Sequence, residues 1–237
     1  MVRRLRAIAI LVILASGLAL WPSPAPAAIQ ELKLDLWPTT WTATATNGTG
    51  SHSAAFIGLD YRYTGAANWG LHLKGDIASE SGWSGALFAG ATSGTDSLWS
   101  ADAFYAWQLS AATIRGFVGY GGIQFSTTFG GLTQTLTSNG FRVGGDAAIP
   151  IPATPVSVNV SVAWYPSDTS TFNNNGVFTS ASGSATDSSL TIQYNWGTGW
   201  LAEGGYRWVN RSWGSLAANC PCSDQWSGPI FTVGKRW

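Results

Sequence analysis

The sequence predicts an all-β fold, a transmembrane antiparallel up-and-down β-barrel. Three observations carry that prediction. Apolar and polar residues alternate with period two along most of the chain, in segments of roughly ten residues. Charged residues make up only 10% of the chain, while 14 Trp are present; few soluble proteins have that balance, and a barrel facing lipid requires it. Beyond the N-terminal region, no segment reaches the ~18 consecutive apolar residues of a membrane helix. A chain of this kind can cross a membrane only by closing into a barrel, which pairs every edge N–H and C=O group.

The N-terminus reads differently from the rest. Met1-Val2-Arg3-Arg4-Leu5-Arg6 is a basic head, Ala7 to Leu20 is apolar, and Ala25-Pro26-Ala27 is a small-x-small cleavage site. That order marks a secretory signal peptide over residues 1–27, leaving 28–237 as the barrel. Arg3-Arg4 fits the twin-arginine signal poorly, so ordinary unfolded export is expected. Removing the three head arginines leaves nine Lys+Arg against 12 Asp+Glu. No basic tract remains for nucleic acid.

The strands follow in order. Leu32, Leu34 and Leu36 alternate with Lys33 and Asp35; after Pro38, Trp41, Ala43 and Ala45 alternate with Thr40, Thr42 and Thr44. Further rows run from Ala55 to Tyr63, Trp69 to Ile77, Trp99 to Trp107, Phe141 to Ile149, Val156 to Trp164, Leu190 to Trp196 and Trp200 to Trp208. Weaker segments span Trp83 to Ala91 and Ala112 to Phe125, and Trp226 to Trp237 closes the chain. The count is about twelve strands, with ten as the alternative, since bacterial single-chain barrels have an even number. Leu109-Ser110-Ala111, Pro150 to Thr154 and Gly197-Thr198-Gly199 read as tight turns. Ser126 to Ser138, Pro166 to Thr186 and Asn210 to Gln225 read as long polar loops.

The last residues, Phe231-Thr232-Val233-Gly234-Lys235-Arg236-Trp237, alternate and end on an aromatic. This resembles the C-terminal signature of bacterial outer-membrane β-barrel proteins, a class that includes porins and small barrels. The resemblance implies location in the outer membrane, contact with its lipids, and an assembly signal at Phe231, Val233 and Trp237 read by the barrel-assembly machinery. Trp in place of the usual terminal Phe is a variant, and Lys235 on the lipid-facing parity is a departure.

The charges are the best guide to function. Asp60, Arg62, Lys74, Asp76, Asp102, Arg115, Arg142, Asp146, Glu203 and Arg207 all fall on the polar parity and are expected to line the lumen. They would tune a narrow passive pore for ions or small solutes, or neutralise one another inside a filled structural barrel, as Arg142/Asp146 and Glu203/Arg207 along their strands. A secreted β-sandwich adhesin or carbohydrate-binding module is the alternative, disfavoured by the low charge. A barrel enzyme acting on lipid or peptide is the second alternative. His52 and His72 are its only histidine bases, and neither has the His-x-Ser pairing: Ser53 falls on the opposite face from His52, and Lys74 stands two residues after His72. No catalytic residue, cofactor or metal is expected. Cys220 and Cys222 are a candidate disulfide in an exported chain, across a one-residue spacer. Trp213 and Trp226, near the last loop, are expected to anchor in the aromatic belt, with stacking on sugars the alternative.

Overall fold

The computed structural model describes residues 28–45, 48–85, 90–129, 131–174, 176–213 and 223–237. The expected signal segment, 1–27, and Cys220 and Cys222 lie outside the described residues. Ten strands follow one another: β1 (Ile29–Ala45), β2 (Gly48–Thr64), β3 (Trp69–Gly85), β4 (Ala91–Gln108), β5 (Thr113–Phe129), β6 (Leu132–Pro150), β7 (Val156–Asn174), β8 (Val177–Trp196), β9 (Trp200–Trp213) and β10 (Ser223–Arg236). Each pairs antiparallel with its chain neighbours, and β1 pairs with β10 to close the barrel. The start of β1, the end of β10 and the turns after β2, β4, β6 and β8 lie at one end, here the terminal end. The opposite strand ends form the distal end.

The strand number is ten, the alternative to the count of about twelve. Leu32–Leu36 and the Trp41 segment are one strand, β1, which continues through Pro38. Trp83 is the last part of β3 and Ala91 the first residue of β4, so the segment between them is no separate span. The expected long loops are corrected as well. Ser126 to Ser138 and Pro166 to Thr186 are mostly strand, continuing β5 to β8 up to tight hairpins. Thr and Ser are compatible with a pleated backbone when their face meets water. The sequence pattern hid this because these stretches lack an outward apolar row.

β8 shows what replaces it. Its outward row reads Ser180, Ser182, Ser184, Thr186 and Ser188, then Leu190, Ile192, Tyr194 and Trp196. Its inward row runs the opposite way: Ala181, Gly183 and Ala185, then Asp187, Ser189, Thr191, Gln193 and Asn195. In β1 the outward residues are Thr44, Thr42 and Thr40 distally and Leu36 and Leu34 terminally, while Trp41 and Trp37 are buried inside above Asp35 and Lys33. β6 changes outward from Thr135 and Thr137 to Phe141 and Val143. In β7 the change coincides with a bulge between Tyr165 and Asp168. Pro166, which has no N–H to leave unpaired, sits there. The distal section is therefore apolar inside and polar outside, and the terminal section is the reverse.

The closing seam carries a local repair. The β1–β10 ladder is interrupted between Leu36↔Phe231 and Thr40↔Ser227, around Pro38 and Pro229. Two side chains donate across the gap: the Trp37 indole N–H to the Gly228 carbonyl at 3.2 Å, and the Thr39 hydroxyl to the Ser227 carbonyl at 2.7 Å.

Candidate functional site

The interior has two parts. In the terminal section, inward positions of all ten strands face a chamber of about 460 Å³. Charged side chains dominate its wall, because a charge placed outward here would meet lipid at a cost of ~2–4 kcal/mol at mid-depth. Asp60, Arg62, Lys74, Arg115, Arg142, Asp146, Glu203 and Arg207 line it, and Asp76 and Asp102 are buried just beyond it.

The partners of these ten residues come from other strands. Lys33 meets Glu203 at 2.6 Å, and Lys74 meets Asp35 at 2.9 Å. Arg115 donates to Asp146 at 2.6 Å. Arg142 lies 3.2 Å from Asp102, donates to the Tyr165 hydroxyl at 3.1 Å, and stacks over the Phe117 ring. Arg207 is bidentate to Asp187, at 3.0 and 2.8 Å, and also reaches Asp76 at 2.8 Å. The Arg142/Asp146 and Glu203/Arg207 pairings along single strands do not form. Four residues on a strand span ~13 Å, whereas hydrogen-bonding partners must approach to about 3 Å.

Several of these ties cross the lumen. Arg207 on β9 and Asp76 on β3 lie four strands apart round the barrel, as do Arg62 on β2 and Asp146 on β6, which approach to 3.8 Å. The Asp76 contact is permitted by Gly58, where a Cβ would overlap the Asp76 carboxylate. His72 lies between two carboxylates, with Nε2 2.9 Å from Asp60 and Nδ1 3.3 Å from Asp102. Its nitrogens are thus engaged by aspartates, with no serine in the arrangement.

The distal section is filled by rings. Trp37, Trp41, Phe56 and Trp226 are 0% exposed and pack with Leu136, Phe125, Phe172, Ile123 and Val209. Trp41 stacks on Phe125 with centroids 4.9 Å apart and lies 5.9 Å from Trp226. Trp37 stacks on Phe56 at 5.0 Å, and the Arg207 guanidinium lies over the Trp37 ring, 4.5 Å from its centroid. Trp226 on β10 donates its indole N–H to Asp96 on β4 at 3.0 Å, a third tie across the lumen. Trp226 is therefore neither a belt anchor nor a sugar-stacking residue, because its ring is fully enclosed.

Four groups escaped the sequence reading: Asp187, the fully buried Arg211–Asp224 pair at 2.6 Å, the Ser138–Asp168 hydrogen bond, and His52 with Glu80 and Asp96. Two of them, Arg211–Asp224 and Ser138–Asp168, fell in stretches read as loops. Parity alone could have found Asp96, which shares the inward row of β4 with Leu98, Ser100 and Asp102.

At the terminal end Phe231, Val233 and Trp237 are exposed on the outward face. Lys235, on the same face, lies with its ammonium 5.5 Å from the centre of the Trp200 ring, so its charge is held at an aromatic face near the rim.

No family model and no curated protein matches the chain. Solved structures do resemble it. The translocator domain of the autotransporter NalP from Neisseria meningitidis has a TM-score of 0.52 at 12% identity, over 99% of this chain and 94% of that one. The outer membrane protease OmpT from Escherichia coli has a TM-score of 0.49 at 8% identity, over 92% of this chain and 98% of that one. Together with the apolar outward belt and the closed ten-stranded topology, the chain has the fold of bacterial outer-membrane β-barrel proteins.

Proposed function

We propose that this protein is an integral outer-membrane barrel that does not conduct in its folded state and serves a structural or surface-presenting role. The terminal section sits in lipid, with its chamber facing the periplasm. The distal section stands above the membrane and offers a Ser/Thr-rich wall and its hairpins to the outside. The observation that carries this reading is the stack of enclosed rings, Trp37, Trp41, Phe125 and Trp226, which fills the distal lumen. The cross-lumen pairs Arg207–Asp76 and Arg62–Asp146 support it from below. Opening a continuous water path would require these rings to leave their packing and the deeply buried Arg207–Asp76 pair to part, and stripping one partner from such a pair costs ~3–5 kcal/mol. The lumen charges then act as internal fastenings rather than as a selectivity filter.

Single-channel recording of the refolded barrel in a planar bilayer under a salt gradient tests the proposal. Inserted protein that stays silent is the expected result. A steady conductance with a defined reversal potential would overturn the proposal and return the lumen charges to a selective pore.

A further inference from the structure

Within the ring-filled distal section lie three ionisable side chains from three successive strands. His52 of β2, Glu80 of β3 and Asp96 of β4 are all buried, and their nearest ligand-type atoms all lie within 4.8 Å of one another. The backbone is shaped around them. His52 sits at a register shift of the β2–β3 ladder, between Ser51 and Ser53. Bulges re-aim a side chain in this way. Across β4, Gly94 has no side chain, and a Cβ there would overlap the Glu80 carboxylate. Glu80 can lie across β4 only because that position is glycine.

Apart from the Arg211–Asp224 pair, whose charges reach Asp96, the surroundings are largely aromatic. The His52 ring packs against Trp83 at 4.5 Å, Trp41 at 4.7 Å and Phe125 at 5.9 Å between centroids. The Glu80 side chain is 0% exposed. Among the described residues, neither of its oxygens accepts a hydrogen bond from outside the cluster, and His52 Nε2 lies 4.0 Å from Oε1. Asp96 is oriented by the Trp226 indole through Oδ2, and the Glu80 and Asp96 carboxyl groups hydrogen-bond each other. Two ionised carboxylates enclosed together are strongly unfavourable unless a proton or a cation is shared between them.

We infer that His52, Glu80 and Asp96 form a binding site for one divalent transition cation of the zinc class, fastening β2, β3 and β4 inside the distal section. One imidazole nitrogen and two carboxylates suit such an ion at ~2.0–2.2 Å per ligand, which a small closure of the present spacing would reach. Three donors are too few for calcium, which takes six to eight oxygens. The Trp226–Asp96 hydrogen bond is the outer support that fixes a ligating carboxylate. The site was not legible from spacing, because 28 and 16 residues separate its members in sequence.

The test uses the untagged full barrel carrying C220S and C222S, refolded without metal and titrated with Zn²⁺ and with Co²⁺. One equivalent should bind, with Co²⁺ showing ligand-field absorption distinct from the hydrated ion. Affinity should fall by about 100-fold or more in E80Q and in D96N, as loss of a ligand or its support does. The chain has two histidines, so imidazole ¹⁵N spectra decide the matter even if those variants fold poorly: His52 must shift on Zn²⁺ addition and His72 must not. The inference is overturned if no equivalent binds, if His52 does not shift, or if E80Q and D96N bind as tightly as the parent. Silence or conductance in the bilayer experiment bears on the closed barrel and leaves this result independent.

Discussion

Along β8, Ser180 to Ser188 turn hydroxyls outward over an inward row of Ala181, Gly183 and Ala185, and Leu190 to Trp196 turn apolar groups outward over Thr191, Gln193 and Asn195. The strand is continuous and keeps its period of two across the change. Only the side of the wall that is apolar has exchanged. The distal section therefore resembles a soluble barrel built round a hydrophobic core, and the terminal section a membrane barrel built round charges. Amphipathic phase reports which solvent a strand meets, and on the placement proposed above its reversal marks the boundary between water and lipid.

The largest differences should come from the interiors. Asp224→Ala removes the bidentate partner of Arg211 in the distal section and is expected to cost ~3–5 kcal/mol, the penalty for breaking a buried ion pair. Glu203→Ala, on the wall of the 460 Å³ chamber and less completely buried than Asp224, should cost less than half as much. Chemical unfolding in lipid vesicles measures both, and equal costs would break the distinction. Trp41→Ala removes a fully enclosed ring and should also cost ~3–5 kcal/mol, with the loss read in the same titration.

The outward face offers a smaller and cleaner contrast. Leu190→Arg puts a charge into lipid and should cost ~2–4 kcal/mol. Ser182→Arg, eight residues away on the same outward row of β8, should stay within ~0.5 kcal/mol, as an ordinary water-facing substitution does. At the C-terminus, Trp237→Ala should lower the yield of folded barrel in membranes more than Lys235→Ala. Equal yields would remove Trp237 from the assembly signal.

Much of this was legible in the chain. Period-two rows with aromatic ends, such as Trp200 to Trp208, place the lipid-facing strands because lipid admits no polar outward row. The inward set from Asp60 to Arg207 follows from parity alone. Its pairing does not, because Lys33–Glu203 and Arg207–Asp76 depend on register and on which strands face each other across the lumen. The distal strands were hidden for a different reason. Thr135, Thr137 and Asn139 alternate with Leu136 and Ser138 much as a polar loop would, and only pairing with β5 and β7 makes them strand. Likewise Trp41 resembles an interface anchor until its row is found to point inward.

The phase reversal is tested most directly by scanning single cysteines along the outward row of β8, from Ser180 to Tyr194, each carrying an environment-sensitive fluorophore, with quenchers fixed at known depths in the bilayer. Water-like emission and no lipid quenching are expected at 180, 182, 184 and 186, with an abrupt change between 188 and 190 and deep quenching at 190 and 192. Lipid quenching that continued through 182 would place the ring-filled section inside the membrane and contradict the account.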